Sequence, residues 1–155
     1  MVEEGKAAPQ FQMAGEDGKP IKLSVLKGKP VVLYFYPKDD TSGCTAEAKD
    51  FTEHMAVFRK LDAEVIGVSP DSVASHKKFK AKYDLEVSLA ADEDKAVATA
   101  YGVWVEKSNY GKKYMGVERT TFLIDKAGKI AKAWRKVKVP GHVAEVLAAV
   151  KALKG

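Results

Sequence analysis

Residues 30–36 (PVVLYFY) form an unbroken run of apolar β-forming residues, the pattern of a strand covered on both faces. Pro37 ends the run, and a polar loop from Lys38 to Gly43 follows. Beyond it Cys44, Ala48, Phe51, Met55 and Phe58 are spaced 4, 3, 4 and 3 apart, which sets them on one stripe of a helix from about Cys44 to Leu61. Residues 64–69 (EVIGVS) predict a second short strand. Residues 72–83 predict a second helix, weakly amphipathic because only Val73, Phe79 and Tyr83 supply an apolar side. A short strand at 88–90 and a short helix at 94–101 follow.

The flanks pair with themselves. Residues 11–23 predict a short hairpin turning at Gly15-Glu16-Asp17-Gly18. Residues 120–125 (TTFLID) and 129–136 (KIAKAWRK) predict another, turning at Lys126-Ala127-Gly128, and residues 142–153 predict a closing amphipathic helix. The strand–helix–strand–helix order of the first half favours parallel strands joined by right-handed crossovers, and the second hairpin adds antiparallel strands. The expected fold is α/β, with a mixed central sheet, helices on both faces and an N-terminal β-hairpin, in one domain spanning 1–155. The order matches the thioredoxin-like arrangement, although pattern alone does not separate it from other α/β sandwiches.

Composition narrows the function. The chain has 155 residues and a net charge of +5, carried mostly by lysine, with Arg59, Arg119 and Arg135 as its arginines. The lysines alternate with acids and form no basic cluster with interleaved aromatics, so no nucleic-acid partner is expected. No apolar run approaches the roughly 20 residues that span a bilayer, and the polar start Met1 to Lys6 does not resemble a secretory signal, so a cytoplasmic location is expected. A single cysteine excludes an intrachain disulfide, a structural zinc site and a CxxC pair. His54, His76 and His142 lack metal-ligand spacing and are expected to be surface or satisfied histidines.

The one cysteine stands where a polar loop becomes a helix. Unpaired backbone N–H groups and the positive end of the helix dipole both favour a thiolate there. Cys44 also heads the apolar stripe, so its side chain is expected at the floor of a small pocket. A buried cysteine can equally be an inert small hydrophobe. Its surroundings separate the two. Pro37, Thr41 and Cys44 form Pro-x-x-x-Thr-x-x-Cys, and Arg119 stands at the mouth of the predicted strand TTFLI.

With these residues the chain resembles the peroxiredoxins, and the stretch VVLYFYPKDDTSGCTAEAKDF (31–51) resembles their bacterioferritin-comigratory-protein or PrxQ-type branch. The likeness extends to AAPQF, to residues 64–85 and to GVERTTFLIDKAGKI (116–130), in a domain of the AhpC/TSA type. It implies a thiol-dependent peroxidase of hydrogen peroxide and organic hydroperoxides, in which Cys44 attacks a peroxide oxygen and becomes a sulfenic acid. It further implies that Thr41 bonds the thiolate and the peroxide, that Pro37 shields the sulfur from water, and that Arg119 stabilises thiolate and peroxide with its fixed fork of donors. The bland roles of these three are a helix N-cap, a strand terminator and a surface arginine paired with an acid such as Glu118. No metal, haem or flavin is required.

The chain departs from many relatives in lacking a resolving cysteine. Lys49 stands five residues after Cys44, and the segment FKAKY around Lys80 supplies none either. A position five residues along lies about 140° around a helix from Cys44. This one-cysteine form therefore needs an external thiol: thioredoxin, glutaredoxin or glutathione. A monomer or weak homodimer is expected. Two rival functions share the helix-start cysteine, a monothiol thiol-disulfide transferase and a peroxide-sensing interaction protein. Thiol exchange needs neither Thr41 nor Arg119, and nothing in the sequence marks a partner face.

Overall fold

The computed structural model describes residues 2–154. A seven-stranded mixed sheet is built around β3 (Val31–Phe35), which lies parallel to β4 (Glu64–Ser69) on one side and antiparallel to β8 (Thr120–Ile124) on the other. Next to β4 runs β5 (Ser88–Ala91), also parallel. Beyond it comes the N-terminal hairpin of β1 (Gln12–Gly15) and β2 (Pro20–Lys22). At the other edge β9 (Ile130–Trp134) pairs with β8, turning at Asp125 to Gly128 as the sequence predicts. The spatial order is β2-β1-β5-β4-β3-β8-β9.

The alternation along β3 divides two cores. Val31, Leu33 and Phe35 pack with Phe11, Met13, Tyr101 and Phe122, beneath the short helix α4 (Ala96–Ala100). Val32, Tyr34 and Tyr36 pack on the opposite face against α1 (Ser42–Glu53), α2 (Met55–Lys60), α3 (Val73–Tyr83) and α5 (His142–Lys154). Helices thus cover both faces of a sheet whose central strand has no exposed side chain, as the continuous apolar run requires. In β4, Gly67 lies opposite Tyr34, and a Cβ there would come within 2.6 Å of the tyrosine ring, so glycine makes room for the aromatic.

Three expectations needed correction. The helix expected from Cys44 to Leu61 begins at Ser42 and is two helices, interrupted at His54. There the backbone N–H of His54 bonds Phe51 O (3.0 Å) and its ring Nδ1 meets Asp50 O (2.8 Å), which closes one helix and starts the next. The apolar stripe survives the break: Cys44, Ala48, Phe51, Met55 and Phe58 are all buried. In α3 the buried residues are His76 and Phe79, while Val73 and Tyr83 are half-buried, so a histidine occupies a place the apolar pattern had not assigned. Finally, β6 (Trp104–Asn109) and β7 (Lys112–Val117) form a separate hairpin that the sequence reading missed.

Candidate active site

Strand pairing carries the chain to the edge of the site, since Tyr36 N–H still donates to Val68 O (3.0 Å) beyond the end of β3. The half-buried Pro37 then turns it into the loop before α1. Two consecutive acids tie this loop to α3. The carboxylate of Asp39 accepts from Tyr36 Oη (2.5 Å) and Ser75 Oγ (2.8 Å) and lies 2.8 Å from Nδ1 of the fully buried His76. The other ring nitrogen of His76 is 3.0 Å from Ala90 O. The Asp39 N–H donates to Asp71 Oδ2 (2.8 Å), so Asp39, Asp71 and His76, which have the atoms for a metal site, bond one another and the sheet. Asp40, at φ 58°, accepts from Lys82 Nζ (2.7 Å) and from the Tyr83 hydroxyl. Lys49, five residues after Cys44, lies with its ammonium 5.2 Å over the Tyr83 ring.

Thr41 is the N-cap of α1 with extended backbone, but its hydroxyl makes no capping bond. It donates to Lys38 O (2.9 Å) instead, and the Thr41 carbonyl accepts from Thr45 N–H (2.8 Å). Cys44 is in the first turn, 2% exposed, with its sulfur toward the head of β8. There Arg119 Nη2 donates to Cys44 Sγ at 3.2 Å, and Nη1 donates to Glu47 Oε1 at 2.7 Å. The arginine side chain is 17% exposed and that of Glu47 is fully buried. Gly43 leaves room for this approach, because a Cβ there would stand 3.3 Å from Nη2, a tight contact.

Arg119 therefore does not pair with Glu118 at the surface. Its fork bridges a buried carboxylate and the cysteine sulfur, across 72 and 75 residues of chain. Burial opposes its charge, but Glu47 and Cys44 outweigh that and push its pKa above the usual guanidinium value. Burial raises the Glu47 carboxyl to about 7 against the opposing pull of Arg119. Its second oxygen has no hydrogen-bond partner among the described residues. The sequence reading missed Glu47, although its place three residues after Cys44 puts it on the same helical face.

The reading also missed His142 as part of the support. It opens α5 with Nε2 2.8 Å from Thr121 Oγ1, and its ring meets Phe51 and Trp134 edge-on. Burial, aided by Arg119, pushes its pKa down to about 4, against a smaller upward pull from Glu145. The folded state thus favours neutral imidazole, while the unfolded chain takes a proton at an ordinary pKa near 6.5. Stability is expected to fall as pH drops from about 6.5 to about 4, with His142 contributing about 3 kcal/mol of the loss. In urea melts across that range, His142→Gln should show a shallower acid slope than wild type. Parallel slopes would show that other groups set the acid limit.

The comparisons with known proteins agree with this geometry. The AhpC/TSA family model matches residues 5–133. The chain is 53% identical over 150 residues to peroxiredoxin Bcp of Bacillus subtilis, covering 97% of this chain and 96% of that one. It is 51% identical over 146 residues to the putative peroxiredoxin bcp of Coxiella burnetii, covering 94% and 97%. Among solved structures it resembles the bacterioferritin comigratory protein of Xanthomonas campestris, a protein with alkyl peroxide reduction activity. The TM-score is 0.91 at 42% identity, over 97% of this chain and 98% of that one. A PrxQ mutant from Xylella fastidiosa superposes with a TM-score of 0.94 at 37% identity, over 100% and 99%. A thioredoxin-like sheet, a helix-start cysteine facing an arginine, and these likenesses lead to one conclusion: the chain belongs to the AhpC/TSA family, as a one-cysteine peroxiredoxin of the Bcp/PrxQ branch, a thiol-dependent peroxidase.

Proposed function

We propose that Cys44 is the residue that reacts with peroxide, with Arg119 as its electrostatic partner and Thr41 and Pro37 shaping the approach. The observation that supports this most directly is the 3.2 Å contact from Arg119 Nη2 to Cys44 Sγ, in a guanidinium fixed by its second bond to Glu47. A thiolate attacks the nearer peroxide oxygen in line with the O–O bond. The bond breaks, sulfur is oxidised to sulfenic acid, and the departing oxygen takes a proton to become water or an alcohol. Thr41 gives its hydroxyl proton to Lys38 O, so it is free to accept the O–H of an incoming hydroperoxide. The unpaired N–H groups of the first turn, at Gly43 and Cys44, and Arg119 stabilise the developing negative charge.

The recycling half needs an external thiol. One thiol displaces water from the sulfenic acid to form a mixed disulfide at Cys44, and a second releases the cysteine as thiol, leaving an external disulfide. We assign this role to thioredoxin, glutaredoxin or glutathione, with the whole chain acting as one domain, as a monomer or weak homodimer, in the cytoplasm, where such thiols are kept reduced. Among the described residues no helix is long and apolar enough to cross a membrane. The test is consumption of hydrogen peroxide and of an organic hydroperoxide with each candidate thiol, followed by intact-protein mass. Sustained turnover with at least one thiol is expected, together with sulfinic acid at Cys44 when peroxide is in excess and thiol is left out. A protein that survives prolonged peroxide excess fully reducible would show that an unprotected sulfenic acid is not the intermediate.

A further inference from the structure

We propose that Glu47 holds the proton that Cys44 gives up, so that the reactive site is a thiolate, a guanidinium and a neutral carboxylic acid, and that this proton leaves Glu47 when the charge on sulfur is lost. The inference rests on Cys44 being the reacting residue. It makes Glu47 a positioning residue that sets how much of the charge of Arg119 the sulfur receives.

The geometry supplies the argument. One guanidinium faces two acids, Glu47 through Nη1 and Cys44 through Nη2. If both acids were ionised, the cluster would hold one net negative charge around a fully buried Glu47 side chain and a 2% exposed cysteine. Retaining one proton makes the cluster neutral, and a buried neutral cluster is far less costly than a buried net charge. Two arrangements carry that proton: thiol with carboxylate, or thiolate with carboxylic acid. The second is the reactive one. Glu47 suits it because Oε2 has no partner among the described residues, and an unpaired oxygen is less costly on a neutral acid than on a carboxylate.

The neighbouring charges point the same way. On the same helix Asp50 disfavours an ionised Glu47. Tyr34 of β3 has its hydroxyl pKa pushed up by burial, so it stays neutral. From α5, His142 is held neutral by its burial. Arg119 is therefore the cation that both acids share.

The reaction balances. Thiolate, hydroperoxide and the carboxylic acid of Glu47 give sulfenic acid, alcohol and the carboxylate of Glu47. Sulfur loses two electrons to the O–O bond, the hydroperoxide proton ends on one product oxygen and the Glu47 proton supplies the other. With sulfur neutral, Glu47 alone pairs with Arg119. Reduction of Cys44 by thiol resets the site.

The test is the pH profile of the second-order rate constant between reduced protein and a hydroperoxide, for wild type and Glu47→Gln. Glutamine keeps an acceptor for Arg119 but cannot ionise. Wild type is expected to lose about tenfold in rate as pH rises through a falling limb near 7, where the site loses its last proton. The limb should be absent from Glu47→Gln, which is then faster than wild type above it. The same limb in both proteins, or none in wild type, overturns the proposal. An infrared readout on wild type needs no variant: a carboxylic-acid carbonyl band in the reduced protein should disappear when Cys44 is converted to a mixed disulfide with a small thiol. A band that is absent, or unchanged by that conversion, also overturns it. Either failure leaves the assignment of Cys44 standing, which falls only if Cys44→Ser retains turnover.

Discussion

Cys44→Ser is expected to lower peroxide turnover by more than about 10³-fold, to the rate of peroxide and thiol alone. The size of the effect follows from the chemistry. The reaction moves two electrons from sulfur to the O–O bond, and no other cysteine is present to supply them. A serine hydroxyl in the same place is bound by the same arginine, but it is a weak nucleophile and cannot take up an oxygen as sulfur does. The substitution is nearly isosteric and leaves Ala48 and Phe51 packed beneath it, so its stability should stay within about 1–2 kcal/mol of wild type. Loss of hydrogen peroxide, followed directly with an excess of the best thiol, is the measurement, with a thermal melt as control. A folded Cys44→Ser protein that still consumes peroxide above background would remove Cys44 from the mechanism and, with it, the reading of Arg119.

Much of this was legible in the residues because apolar periodicity and the sheet obey the same rule. The run PVVLYFY is wholly buried, with Val31–Phe35 of it forming β3, and the stripe headed by Cys44 stays buried through the break at His54. The break itself left no mark, because a histidine ring reaching the Asp50 carbonyl is a local choice that spacing does not encode. The β6–β7 hairpin escaped for a different reason. Its residues are mostly exposed, with Tyr110 99% and Tyr114 49% exposed, so no buried face imposes an alternation. The signal it did carry was the turn: Tyr110 (φ 52°) and Gly111 (φ 78°) are both left-handed, as a two-residue hairpin loop demands.

The site divides in the same way. Cys44, Thr41 and Pro37 lie within one short stretch, and their proximity could be read from it directly. Arg119 was suggested by resemblance and by its place before a strand; what brings it to Cys44 is the antiparallel pairing of β8 with β3, a long-range register. Glu47 and Asp39 were hidden because an acid in a charged chain normally faces water. Their burial comes from partners far away in sequence, Arg119 for Glu47 and His76 for Asp39, which no local window contains. Thr41 sits at the N-cap position, the bland role weighed for it, yet its hydroxyl turns to Lys38 O rather than to the helix, a rotamer that composition and spacing leave open.

Arg119→Lys should slow the reaction with peroxide by about 10²-fold while keeping the charge. The wild-type guanidinium does two things at once: it donates to Cys44 Sγ at 3.2 Å and to Glu47 Oε1 at 2.7 Å. A lysine ammonium has three donors on one nitrogen but no rigid fork, so it cannot meet both acceptors with the same geometry. Glu47, fully buried and at the shorter distance, is the better-placed acceptor, and a lysine that settles there leaves the sulfur without its donor. Loss of one such donor at a charge-developing centre corresponds to about 2.7–4 kcal/mol of transition-state stabilisation, about 10²–10³-fold in rate. The effect should fall on the second-order rate constant with hydroperoxide, measured by stopped flow on the reduced protein, and not on the later reduction by thiol. Adding free guanidine to Arg119→Ala provides a second readout, since partial recovery of rate would tie the loss to the missing donor and not to a distorted helix start. A rate constant for Arg119→Lys equal to wild type would mean that charge alone suffices at this position and that the fork between Glu47 and Cys44 is a structural contact.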